Sequence, residues 1–343
     1  IIEIFIVTGF LFFFALLFEM RNTVEEIFIT VGLFGMVALR LMPSINRILS
    51  GLSEIKERTA LVNSIYADYQ NGLDDLNTIK DSPNAREMNF NIEIKLNNIS
   101  YNYETEIGEK LILNNVNFKI SKGQSIGIVG PSGAGKTTLI DNILGLLQPV
   151  RGEILVDGRN IFTNTIGWQK RLGYVPQQIY LIDDTVRRNI AFGIDDKLIN
   201  DSRLEVVISM SNLKDVIEEL PQNLDTMLGE QGVRISGGQR QRIGIARALY
   251  HDPDVIVFDE ATSALDSEAE YEISKAILGL AHEKTLIIIA HRLSTVRLCE
   301  KLIFLNKGKI TDIGTFDELM DINADFQRMV KLNDLSGKLP TLK

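Results

Sequence analysis

Residues 124–147 read QSIGIVGPSGAGKTTLIDNILGLL, three elements in succession. QSIGIVG (124–130) is a short strand rich in β-branched residues, GPSGAGKT (130–137) is a glycine-rich loop, and TLIDNILGLL (138–147) has its apolar residues at helical spacing. Strand, glycine-rich loop and helix in that order is the setting a Walker A phosphate-binding loop requires. Gly130, Gly133 and Gly135, with Pro131, Ser132 and Ala134 between them, let the loop wrap a phosphate with backbone N–H groups pointing inward. The helix N-terminus adds positive potential at the same point. Lys136 can reach the β- and γ-phosphates, the Thr137 hydroxyl is placed to ligate Mg2+, and Thr138 closes the motif. A chance glycine-rich turn would lack the flanking strand and helix.

Two further apolar strands end in chemistry. DVIVFDEAT (254–262) finishes on two acids that its apolar run cannot bury, so Asp259 and Glu260 face something at the strand end. Asp259 suits Mg2+ through a water, and Glu260, one residue on, points toward an attacking water as general base. Capping of the next helix is the bland alternative. TLIIIAH (285–291) ends in His291 on the same pattern, and ligand sites of open α/β sheets gather at the carboxyl ends of strands. YVPQQ (174–178) offers Gln177 and Gln178 for the ion or the water, a weak signal alone. Tyr101 and Tyr103 precede the loop on an N-terminal strand, where a ring can stack on a base or simply pack. About a hundred residues after the loop, ISGGQRQR (235–242) supplies a second anion-binding surface: Gly237 and Gly238 expose backbone N–H groups, Ser236 adds a hydroxyl donor, and Gln239 follows.

The bulk numbers frame these motifs. The chain has 343 residues and a net charge of −9, an acidic balance that argues against a nucleic-acid binder. Its one cysteine, Cys299, forms no intrachain disulfide and reads as a buried small hydrophobe. The first residue is Ile1, inside an apolar run, so the sequence reads as a fragment of a longer chain. IIEIFIVTGFLFFFALLF (1–18) and IFITVGLFGMVALRLM (27–42) are near the length that crosses a bilayer. The loop between them is net acidic, whereas Arg40, Arg47, Lys56 and Arg58 follow the second run, a bias that fits an outer loop and a cytoplasmic continuation. From Ser44 to about Leu76 apolar residues recur at three- and four-residue steps, an amphipathic helix that Pro43 either bends or bounds. Asp81-Ser82-Pro83-Asn84 has linker composition.

With these residues laid out, the chain resembles the ATP-binding cassette (ABC) transporters, and within them the exporters, over roughly Ile92 to Leu332. The resemblance assigns GPSGAGKTT as Walker A, VPQQ as the Q-loop with Gln177 at its functional position, ISGGQRQR as the signature, VIVFDEAT as Walker B, Ser263–Asp266 as the D-loop and His291 as the switch histidine. Tyr103 falls where the family has its adenine-stacking aromatic. Glu230 in GEQGVR matches the exporter segment before the signature, and GKITDIGTFDELM resembles the exporter C-terminus. Ile235 stands where leucine is usual, a conservative change. The apolar runs number two, fewer than an exporter half has, and by the resemblance they are its last two membrane helices.

The implied fold is α/β: a P-loop ATPase with a RecA-like core, an antiparallel β subdomain and an α-helical signature subdomain, preceded by membrane helices. The expected division is 1–80 for the membrane part, 81–91 linker, 92–335 nucleotide-binding domain and 336–343 tail. The resemblance further implies ATP and Mg2+ as ligands and a head-to-tail dimer with a second copy or a homologous half-transporter. In that dimer Ser236 and Gly238 serve the partner's site, Lys136, Gln177, Glu260 and His291 act on the nucleotide of their own, and Asp266 of the D-loop is among the nucleotide-binding residues. The setting is the plasma (inner) membrane with the ATPase in the cytoplasm. Soluble ABC ATPases of DNA repair or translation would not need residues 1–42, importers carry their membrane subunits on separate chains, and non-catalytic modules often lack the glutamate or histidine present here. Arg40 and the LMPSINR that follows it resemble exporters that flip lipid-linked oligosaccharides, with peptide, lipid and drug export as competitors.

Overall fold

The computed structural model describes residues 2–19, 23–80, 88–103, 111–229, 235–259, 267–289 and 293–336. The chain forms two compact units, Ile1–Pro83 and Asn84–Lys343. The first consists of two helices, α1 (Ile2–Glu19) and α2 (Val24–Lys80), which meet through the rings of Phe13 and Phe34 at 4.8 Å. Thr23 and Glu26 start α2 as a capping box: the Thr23 hydroxyl accepts from the Glu26 N–H, and the Glu26 carboxylate accepts from the Thr23 N–H. Among the described residues Phe28–Gln70 is the one helical stretch long and apolar enough to cross a membrane, with none of its most apolar window buried in protein. The boundary that Pro43 would have set is absent, because α2 runs through it without interruption. Proline removes one i→i−4 hydrogen bond, whereas ending the helix within an apolar run would strip several backbone groups of partners.

The second unit carries ten strands among its described residues: β1 (Glu93–Tyr101), β2 (Leu113–Ser121), β3 (Ser125–Val129), β4 (Arg151–Val156), β5 (Arg159–Asn160), β6 (Leu172–Val175), β7 (Val255–Asp259), β8 (Thr285–Ile289), β9 (Lys301–Asn306) and β10 (Lys309–Gly314). Its helices are α3 (Lys136–Ile143), α4 (Thr165–Gln169), α5 (Val186–Ile190), α6 (Asp201–Met210), α7 (Lys214–Glu219), α8 (Gly237–Tyr250), α9 (Ser267–Gly279), α10 (Leu293–Val296), α11 (Phe316–Ile322) and α12 (Ala324–Ser336). A six-stranded sheet of order β10-β9-β3-β8-β7-β6 is parallel apart from the antiparallel edge strand β10. A four-stranded antiparallel sheet of order β2-β1-β4-β5 packs beside it. The run α5–α8 forms the helical part.

The strands β3, β7 and β8 are buried along their whole length, as apolar runs without alternation require of a sheet covered on both faces. Their side chains still alternate between two cores. Ile126, Ile128, Val255, Val257, Ile287 and Ile289 join α3 and the antiparallel sheet, whereas Ile256, Phe258, Leu286 and Ile288 join the helical part and α8. Asp259 follows Val257 by two residues and so lies on the α3 face. Cys299 is buried, as expected, and burial with Glu300 nearby pushes its thiol up to about 12.

The segment leading into β1 is fixed to this unit. Met88 and Phe90 are buried, and Phe90 meets Trp168 edge to face at 6.3 Å. Arg171 Nε donates to the Met88 carbonyl (3.1 Å), and Lys122 Nζ donates to the Phe90 carbonyl (2.9 Å). Asp157, in a left-handed turn at φ 49°, accepts from the backbone N–H groups of Asn91, Ile92 and Glu93 at 2.6, 2.9 and 3.0 Å.

Candidate functional site

The loop between β3 and α3 has the conformation its glycines anticipate. Gly133 and Gly135 take φ of 74° and 100°, values that a Cβ strains, and Gly135 caps α3 from the left-handed region. Gly130 lies so close to the β9 carbonyl of Leu305 that an added Cβ would sit 2.0 Å from that oxygen. Pro131, Ser132 and Gly133 are exposed around the rim, and Ala134 is buried beneath it. Lys136 is 7% exposed, and its Nζ donates to the carbonyls of Gly130 (2.9 Å) and Pro131 (3.1 Å), which hold the ammonium across the loop mouth. Thr137 lies exposed at the start of α3; Thr138 is buried, with its Oγ1 3.5 Å from Tyr103 Oη. Tyr103 is 46% exposed and meets Tyr101 edge to face at 5.1 Å, so its ring borders the loop.

Asp259 ends β7 at 9% exposure. The Tyr174 Oη donates to its Oδ2 at 3.2 Å. The β6–β7 register explains the pairing: Tyr174 sits opposite Val257, and Val257 and Asp259 share a face, so the phenol reaches two residues along the neighbouring strand. Asp141 of α3 faces the same place. Burial, and then the Asp259 charge, push its carboxyl above the usual range, and burial followed by Asp259 pushes the Tyr174 hydroxyl up. Neither Tyr174 nor Asp141 was singled out by the sequence motifs. Their signal lies in strand register and sheet face, which single-sequence spacing does not carry.

Gln177 is exposed just beyond β6, and the next residues run along α8. Ile179 packs so tightly on Gly244 that a Cβ there would come within 1.8 Å of its Cδ1. Arg247 of α8 donates to the carbonyls of Tyr180 and Asn189, both at 2.8 Å, and to the Asn189 side chain. Asn189 in turn bridges both backbone groups of Ile182. Gln177 is thereby tethered through the chain to the helix that follows the ISGGQ segment.

At the start of that helix Ser236 is the N-cap. Its Oγ accepts from the Gln239 N–H (3.2 Å), and the Gln239 side chain accepts from the Ser236 N–H (2.9 Å), a complete capping box. Ser236 and Gly237 are exposed and Gly238 is half-buried, so the first turn of α8 stands at the surface. The structure thus brings Tyr103, residues 130–138 and Asp259 together in one place, and Ser236–Gln239 form a separate helix start. Glu230, Glu260, Asp266 and His291 lie outside the described residues.

This arrangement has close parallels among known proteins. The ABC transporter family model matches residues 113–263. The ATP-dependent lipid A-core flippase of Desulfotalea psychrophila is 39% identical over 258 residues, which cover 74% of this chain and 44% of the flippase. The ABC transporter B family member 6 of Dictyostelium discoideum is 36% identical over 316 residues, 85% of this chain and 46% of that protein. Among solved structures, a bacterial Atm1-family ABC exporter with ATP bound superposes with a TM-score of 0.67 at 32% identity, covering 77% of this chain and 45% of that one. The chain therefore spans less than half the length of these relatives. Residues 113–263 thus carry an ABC transporter domain, and the chain resembles the exporter type of that family.

Proposed function

We propose that this chain is the ATP-hydrolysing part of a half-transporter that works as a dimer in a cell membrane, with its second unit in the cytoplasm. One observation supports this above the others: the chain holds two phosphate-ready helix starts, the loop before α3 and the Ser236 cap of α8, each built on a different core. A single nucleotide bound to Lys136 leaves the second without a ligand, and a partner's nucleotide supplies one.

The residues suit a magnesium nucleotide. The glycine conformations at 133 and 135 and the missing Cβ at Gly130 keep the loop open to phosphate oxygens. Thr137, Gln177 and Asp259 would hold the magnesium ion, and when bound the ion neutralises charge on the β- and γ-phosphates. Lys136 trades two loop carbonyls for phosphate oxygens. Its buried position lets it do so at little conformational cost. Tyr103 stacks on the adenine, with the loop residues Gly130, Pro131, Ser132, Gly133, Ala134, Gly135, Thr137 and Thr138 around the phosphates. Glu260 orients the attacking water and His291 holds the γ-phosphate. From the opposite protomer, Ser236, Gly237, Gly238 and Gln239 donate to the γ-phosphate, with Asp266 nearby. Hydrolysis then removes the phosphate that bridges the two chains, and the dimer opens.

The cargo reading rests on the relatives. Lipid A-core flippases recur among them, which favours a membrane-borne amphiphile such as a lipid-linked glycan. The test of the catalytic reading is ATPase turnover of the reconstituted full-length protein. Glu260→Gln should abolish it while nucleotide binding persists, and Lys136→Ala should weaken both. Unchanged turnover in Glu260→Gln refutes the assignment. Stimulation of turnover by lipid-linked oligosaccharide, lipid A or peptide separates the cargo classes.

A further inference from the structure

Tyr174 belongs to the strand that launches the Q-loop, and nothing in the motifs gives it a task. It is nevertheless the described partner of the buried Walker B carboxylate, with its Oη 3.2 Å from Asp259 Oδ2. A carboxylate at 9% exposure needs a donor to hold its charge. It also has two oxygens to share, and the phenol occupies one. We propose that Tyr174 is a positioning residue for the magnesium ion: its hydroxyl pins Oδ2 of Asp259 and so leaves Oδ1 turned toward the ion's water. This rests on the magnesium-nucleotide reading above and adds to it a residue that touches neither ion nor nucleotide.

The position explains the choice of residue. Tyr174 lies opposite Val257, two residues short of Asp259, and its phenol spans that offset along the strand. Phenylalanine fills the same volume and lacks only the donor. The ring is 40% exposed, so its loss of a hydroxyl leaves no sealed polar cavity. Because Gln177 is three residues further on, the same hydrogen bond also ties the root of the Q-loop to Walker B.

The test compares the detergent-solubilised full-length protein with Tyr174→Phe, Asp259→Asn and the double variant. Mn2+ affinity is read by EPR in the presence of a non-hydrolysable ATP analogue, and metal-free affinity by a fluorescent ATP analogue in EDTA. Tyr174→Phe should weaken Mn2+ roughly tenfold, the lower end of what loss of a ligand's hydrogen-bond partner costs. It should leave metal-free nucleotide affinity unchanged. In the Asp259→Asn background the same change should add nothing. Unaltered Mn2+ affinity in Tyr174→Phe overturns the proposal, as does an additive loss in the double variant or an equal loss of metal-free affinity. If the wild-type chain binds the nucleotide analogue with no dependence on metal, the magnesium-nucleotide reading falls and this inference falls with it.

Discussion

Gly130 shows how much of the loop's shape is decided by one missing atom. The Leu305 carbonyl occupies the place its Cβ would need, and that oxygen is backbone of a central strand, which cannot step aside. Gly130→Ala should therefore lower stability by about 1–3 kcal/mol, as overpacking does. It should also reduce nucleotide affinity, because the Gly130 carbonyl that holds Lys136 shifts with it; thermal melts and equilibrium binding read the two effects separately. Gly130, Lys136, Thr137 and Asp259 were legible in the sequence because each ends an apolar run or sits at a fixed offset from one. Tyr174 and Asp141 were not, since the β6–β7 register and the α3 face bring them to the site, and register is set by pairing across 80 or so residues of chain.

At the scale of elements, α8 carries a double duty at its first turn. The Ser236 oxygen that caps the helix belongs to the hydroxyl expected to meet a partner's phosphate. Ser236→Ala should cost about 1 kcal/mol through loss of the cap alone. Ser236→Asp keeps a good cap and the melting temperature, yet sets a negative charge against the phosphate. It should lose ATPase activity without losing stability, and denaturant melts beside turnover assays decide between the two effects. The start of α5 gives a pH-dependent counterpart. Arg188 pairs with Asp184 at 2.9 Å and with Asp196, and its hydrogen bonds hold both carboxyls below their usual range. A lowered folded-state value means stability that is present above the unfolded carboxylate range and lost as pH falls through the folded value. Arg188→Ala should thus melt lower than wild type at neutral pH, and the gap should close on acidification. The Ser-Gly-Gly-Gln stretch was legible in the sequence as an anion-binding surface, whereas its place as the N-terminal cap of α8 was not. Pro43, expected to bend or bound the helix, does not end it, because stopping inside an apolar run would strip backbone groups of partners.

For the whole molecule, the two helix starts predict that assembly and chemistry are linked. Glu260→Gln with ATP should shift the reconstituted or detergent-held chain toward a dimer in light scattering, and ADP should not. Mixed dimers that pair a Lys136→Ala subunit with a Ser236→Asp subunit concentrate both defects on one of the two composite sites and leave the other intact, whereas either defect present in both subunits spoils both sites. Retained turnover in the mixed dimer and its loss in both pure dimers would bear this out. The general architecture was legible from three strands that end in chemistry, and the order of the antiparallel sheet was not, since β4 and β5 are short and polar at their starts. The fastening of residues 88–93 also tells where the chain tolerates a cut. A fragment that begins at Asn84 keeps Met88 and Phe90 in the core and gives Asp157 its three backbone donors. One that begins at Glu93 empties two core positions and strips that carboxylate of two of the three. The second should lose roughly 5 kcal/mol or more relative to the first, on the scale of deleting one buried aromatic and one methionine. The border of the ATPase, for anyone who wishes to separate it from its helices, therefore falls several residues ahead of its first strand.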